Sequence, residues 1–147
     1  MSSASGCFEA TFRSDTANLA RIRGFVREKA AGVGFSSEAL DSIELAVDEA
    51  CANVMEHAYP QKRGDFGIHL SIRTDRGAFT VVITDKGSTF DPMEIPPPNL
   101  DQHLAEFRVG GLGIFLMRSL MDHVDYHIQP GFKNEVRLVK YLSTARP

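Results

Sequence analysis

Residues 36–60 read SSEALDSIELAVDEACANVMEHAYP. Leu40, Ile43, Val47, Cys51, Val54 and Ala58 recur at steps of three and four, the spacing that gathers side chains on one face of a helix. Ser36 or Ser37 stands where a helix N-cap belongs, and Pro60 closes the run. A stripe of this kind predicts a long amphipathic helix that must lie against another apolar surface.

The flanking sequence supplies that surface. Upstream, Cys7 to Arg13 alternates with Phe8, Ala10 and Phe12 on one side, as in a half-buried strand. Ser14 or Asp15 then caps a helix carrying Leu19, Ile22, Phe25 and Val26, which Gly32 and Gly34 end. Downstream, Gly67 to Thr74 and Ala78 to Asp85 flank Asp75-Arg76-Gly77 and read as an antiparallel hairpin. Residues 86–110 hold Pro92, Pro96, Pro97 and Pro98, and are too long for an idle connector, so they form a candidate lid. Gly113 to Met121 resumes a helical pattern, and His123 to Gln129 with Asn134 to Leu142 reads as a final hairpin through Pro130-Gly131. Runs of strands and helices without strict alternation predict the α+β class. The expected architecture is a two-layer sandwich, a mostly antiparallel mixed sheet with three helices on one face.

The chain has 147 residues, the size of one domain, with an expected core over about residues 7–142. Hydrophobic residues make up 43%, charged residues 24%, and the net charge is -3, which disfavours nucleic acid as a direct ligand. No apolar run has the length to cross a bilayer, and residues 1–6 lack the pattern of a signal peptide, so a cytoplasmic location is expected. Cys7 and Cys51 form neither a disulfide framework nor a metal-binding pair and read as buried thiols. His123 and His127 fall on a strand, where a four-residue spacing does not bring them together as it would on a helix turn.

Three places can carry chemistry. Glu49 and Asn53, one turn apart on the long helix, share a side that by helical geometry points away from the stripe of Leu40, Ile43, Val47 and Val54. Asn offers a hard oxygen to magnesium, and Glu can accept a proton or orient a nucleophile. Taken alone, the pair reads more simply as a solvated helix face. Asp85-Lys86-Gly87 follows an apolar strand; its carboxylate can accept from an exocyclic amine such as that of adenine, and Gly87 permits close approach of a flat ring. Alone, this is a common turn closing a strand. Gly110-Gly111-Leu112-Gly113 opens a helix and directs free backbone N–H groups and the positive dipole end toward an anion such as phosphate, or else is a hinge. One ligand, a nucleoside triphosphate with its metal, needs all three services.

The strings DEACANVMEHAY, DKGSTFDP and VGGLGIFLMRSLMD, in that order, resemble the ATPase superfamily shared by DNA gyrase, histidine kinases and the anti-sigma-factor serine kinases, and most closely the kinases of the RsbW type. The resemblance spans about Phe8 to Leu142 and implies a Bergerat-type ATP-binding fold. It also implies roles: Glu49 as general base or positioner of the attacking hydroxyl, Asn53 as magnesium ligand, Asp85 and Gly87 as adenine contacts, and Gly111, Leu112 and Gly113 as phosphate contacts beneath the lid. Arg21, in LARIRGF, matches a partner-binding Arg, though an Arg on an amphipathic helix is also explained by solvation.

The implied activity is ATP-dependent phosphorylation, on Ser or Thr, of a small antagonist protein by a homodimeric kinase that also sequesters a sigma factor. Two features depart from the family pattern. Ser88 and Thr89 occupy a stretch where a second glycine is common, and Asn134 stands near the position of a late-strand Thr. Two other functions compete. One is a nucleotide-responsive regulatory module that moves no phosphate; the other is a detached histidine-kinase catalytic domain, which would need a phospho-acceptor helix that the sequence does not display.

Overall fold

The computed structural model describes residues 5–55, 67–86, 113–129 and 133–142. Strand β1 (Gly6–Arg13) leads through a 3-10 turn (Thr16–Asn18) into helix α1 (Leu19–Ala31), followed by α2 (Ser37–Asn53). Strands β2 (Gly67–Asp75) and β3 (Ala78–Asp85), helix α3 (Gly113–Leu120), and strands β4 (His123–Gln129) and β5 (Lys133–Tyr141) complete the order.

The helix boundaries follow from the side chains that satisfy the helix ends. Ser36 is extended, and its Oγ accepts from the Ala39 N–H at 3.2 Å, the N-cap of α2. Asp15 caps the 3-10 turn, accepting from the Ala17 N–H at 2.9 Å, so α1 proper starts only at Leu19. After α1 the chain turns at Gly34, whose φ of 108° suits glycine.

The five strands lie in the order β1-β2-β3-β5-β4, and every pairing is antiparallel. Chain order breaks at the end: β4 takes the edge, and β5 inserts between it and β3. The β2–β3 turn places both Arg76 (φ 52°) and Gly77 (φ 81°) in the left-handed region, as the twist of a two-residue hairpin demands.

Alternation decides which sheet face is covered. Ile68, Leu70 and Ile72 on β2, Phe79, Val81 and Ile83 on β3, and Val136 and Leu138 on β5 are buried. Their neighbours His69, Ser71, Arg73, Thr80, Val82 and Thr84 are half-buried or exposed. Against the buried face lie Ile22, Val26 and Ala30 of α1, Ile43, Val47 and Cys51 of α2, and Met117 of α3. Each fully buried aliphatic side chain contributes about 1.5–3 kcal/mol, so this shared stripe outweighs intrinsic helix propensity in holding α2.

Arg23 reaches Asp48 at 2.6 Å, and Arg27 pairs with both Asp41 and Glu44, fixing how α1 lies along α2. The expected buried thiols separate: Cys51 is buried, whereas Cys7 is exposed. Cys7 lies on the outward side of an edge strand, where alternation turns every second residue from the core. The far end of the long helix, residues 56–60, and the candidate lid from 87 onward lie outside the described residues.

Candidate nucleotide site

The inward residues of β3 run Phe79, Val81, Ile83, Asp85, and those of β5 run Leu138, Val136, Asn134. The apolar face thus turns polar at one end, on two neighbouring strands at the same level, because Asp85 and Asn134 are direct partners in the register. Both are buried, at 4% and 7% exposure, and Asn134 donates from Nδ2 to Asp85 Oδ1 at 3.1 Å. A polar pair at this depth is costly unless its hydrogen-bonding capacity is used.

The C-terminal turn of α2 covers this end of the sheet. Ala50, Asn53 and Val54 line one wall of a cleft whose other wall is Ile83, Asp85, Asn134 and Tyr126. Asn53 is more deeply placed than a stripe of Leu40, Ile43 and Val47 suggests. It is 7% exposed and extends the buried row Ala46, Ala50 instead of facing away from the core. The small side chains of that row let α2 lie close to the sheet, which draws the next residue on the same line under cover.

Two buried polar atoms in this cleft lack a hydrogen-bond partner, Asn53 Nδ2 and Asn134 Oδ1. Each such atom costs about 1–3 kcal/mol, a cost that a polar ligand removes. One is a donor and the other an acceptor, beside the Asp85 carboxylate, so the cleft can hydrogen-bond a polar group on its floor. Its enclosed part measures about 20 Å³, of the order of one water, so these residues form the inner floor of a site. Gly87, Gly111 and Leu112 lie outside the described residues.

Glu49 is half-buried one turn before Asn53. Its charge reaches the Tyr126 hydroxyl. Burial pushes that phenol up to about 12, Arg118 opposes the shift, and Glu49 adds to it. Glu49 therefore stands within electrostatic range of a residue lining the cleft. Tyr126 also donates toward Met117 Sδ at 4.0 Å, tying β4 to α3. The corner between them is pinned on β5: Lys140 Nζ donates to the Leu120 carbonyl at 2.7 Å, and Asp122 Oδ2 accepts from the Tyr141 N–H at 2.8 Å. Gly113 is the first residue of α3. Arg21 is exposed on α1 and lies apart from the cleft.

Sequence reasoning missed Tyr126 and treated Asn134 only as a departure from a pattern. The signal for Asn134 was present: a polar residue two places before Val136 and four before Leu138 falls on the buried face.

A floor of this kind, on an antiparallel sheet covered by helices, defines a class. The chain belongs to the histidine kinase-like ATPase domain family, which it matches over residues 12–140. It is similar to the serine-protein kinase RsbW of Bacillus subtilis strain 168, 31% identical over 132 residues that cover 84% of this chain and 80% of that one. The RsbW of Bacillus licheniformis is 30% identical over the same shares, and that of Staphylococcus aureus is 34% identical over 74% of this chain and 70% of its own. In fold, the chain is similar to the crystal structure of the RsbU and RsbW domains of a Mycobacterium tuberculosis protein. The TM-score is 0.67 at 15% identity, covering 93% of this chain and 32% of that longer one.

Proposed function

We propose that this chain is an ATP-dependent serine/threonine protein kinase that acts as an anti-sigma factor, phosphorylating an antagonist protein and sequestering a sigma factor. The observation that carries the proposal is the buried Asp85–Asn134 pair in one cleft with the partnerless Asn53 amide nitrogen, in a chain similar to serine-protein kinases.

Asp85 accepts from the exocyclic amine of adenine. Asn53 is the residue that would hold Mg2+. Mg2+ is commonly held by one or two protein oxygens together with substrate phosphates and water. When bound, Mg2+ neutralises charge on the phosphates. The N-terminus of α3, with Gly111, Leu112 and Gly113 before and at its start, receives the phosphates, and Gly87 lets the base approach.

Glu49 orients the attacking Ser or Thr hydroxyl of the antagonist and takes its proton. The hydroxyl oxygen bonds to the γ-phosphorus, the bond to the β–γ bridging oxygen breaks, and ADP leaves. A placed base adds about a hundred- to ten-thousand-fold. Arg21, exposed on α1, contributes to binding the protein partners, and the kinase acts as a homodimer.

The experiment is incubation of the purified chain with γ-labelled ATP and its antagonist. Wild type transfers label, and Glu49→Gln binds ATP but transfers at least about a hundred-fold more slowly. Bound nucleotide without labelled antagonist in the wild type would replace the kinase with a nucleotide-sensing binding module.

A further inference from the structure

The Asn134 amide is anchored on one side and idle on the other. Its Nδ2 donates to Asp85 Oδ1 at 3.1 Å, while its Oδ1 is buried with no hydrogen-bond partner. The residue is 7% exposed, and it lines the cleft together with Asp85 and Asn53. A primary amide is planar, so fixing one N–H on a carboxylate also fixes the direction of its carbonyl oxygen. Turning the amide over would set Oδ1 against a carboxylate oxygen, acceptor against acceptor. The orientation is therefore dictated by Asp85.

The position suits a second acceptor. Asp85 and Asn134 are directly opposed on adjacent antiparallel strands, which places their Cβ atoms about 4.5–5.5 Å apart on one face. An exocyclic amine sends its two N–H groups about 120° apart, so two acceptors each about 2.9 Å from the nitrogen stand about 5 Å from one another. The Asn134 oxygen belongs to the same planar amide whose nitrogen is 3.1 Å from Asp85 Oδ1, so both acceptors border the same cleft.

We propose that Asn134 is a base-selecting residue, its Oδ1 accepting the second amine hydrogen of adenine while Asp85 accepts the first. The proposal rests on the nucleotide reading above and adds to it a specific partner for the other hydrogen. A base with a carbonyl at that position meets two acceptors, Asp85 and Asn134 Oδ1, while Asn134 Nδ2 is committed to Asp85. Selection against guanine is thus built by repulsion as well as by attraction.

The test is a cycle between residue and ligand. Calorimetry on the full chain measures the affinity of ATP and of N6-methyl-ATP, in which one amine hydrogen is replaced by a methyl group. Wild type, Asn134→Ala and Asn134→Val are compared, with thermal melts to verify folding. Wild type prefers ATP by about tenfold, the upper range for one neutral hydrogen bond. In Asn134→Val, which keeps bulk and removes the acceptor, the preference falls to within about two- to threefold; Asn134→Ala gives the same result with more room.

If Asn134 only steadies Asp85, or if a water satisfies its oxygen, both variants weaken the two nucleotides equally and the ratio stays at its wild-type value, which overturns the proposal. Failure of the wild type to bind ATP would instead sink the nucleotide reading and this proposal with it. Loss of ATP preference over GTP in Asp85→Asn, with an unchanged ratio in Asn134→Val, would leave the nucleotide reading standing and remove only the role of Asn134.

Discussion

Asn134 on β5 and Asp85 on β3 stand directly opposite one another and are joined by a 3.1 Å hydrogen bond inside the sheet's covered face. A hydrogen bond to an ionised carboxylate is worth about 1.5–3 kcal/mol. Asp85→Asn is accordingly expected to weaken ATP about 10- to 150-fold by calorimetry, with GTP much less affected. Equal losses for the two bases would remove Asp85 from base selection.

Asn53 presents the opposite balance, a residue whose amide nitrogen is buried without a partner. Asn53→Leu, close in shape, removes that atom and should raise the stability of the nucleotide-free chain by about 1 kcal/mol while eliminating Mg-ATP binding. Urea unfolding without ligand checks the first effect and calorimetry the second. A destabilised variant would mean that the amide is satisfied after all.

The two cysteines should behave differently toward a thiol reagent. Cys7 is exposed, whereas Cys51 is buried and its thiol is pushed up to about 12 by burial, with Asp48 adding to the shift. Ellman's reagent at pH 8 should modify one thiol per chain in the native protein and the second only after denaturant is added.

The same burial makes alkaline stability a property of Cys51 and Tyr126. Burial raises both in the folded chain to about 12, from ordinary values of 9.0 and 10.0. Groups raised in this way contribute fully below the unfolded value, and the contribution disappears as pH climbs toward the folded one. For the thiol the slope is about 1.4 kcal/mol per pH unit between roughly 9 and 12. Cys51→Ala should flatten the fall in denaturant midpoint between pH 9 and 10.5, measured against wild type; parallel curves would contradict the assignment.

Arg76 holds φ 52° at the β2–β3 turn, where a side chain with a Cβ is disfavoured. Arg76→Asn keeps a residue that tolerates this conformation and should stabilise the chain by about 0.5–1 kcal/mol. A melting temperature unchanged or lowered would show that the turn is not under strain.

Much of this arrangement is written in local sequence. The stripe of α2, the Ser36 cap and the Asp75-Arg76-Gly77 turn each act within a few residues, so their elements are legible without tertiary information. The sheet order is not. Nothing near Asn134 says that β5 slides between β3 and β4, and only that insertion brings Asn134 opposite Asp85. Asn53 was placed on the correct helix but assigned to an open face, because helical angle alone does not report how closely Ala46 and Ala50 allow the sheet to approach.

The insertion of β5 has a consequence for biogenesis. The two members of the floor pair are 49 residues apart in the chain, and the later one arrives with the final strand. A ribosome-bound or truncated chain that stops before Lys133 has Asp85 but no Asn134 beside it. Nucleotide capture would then be a late event that stabilises only completed copies.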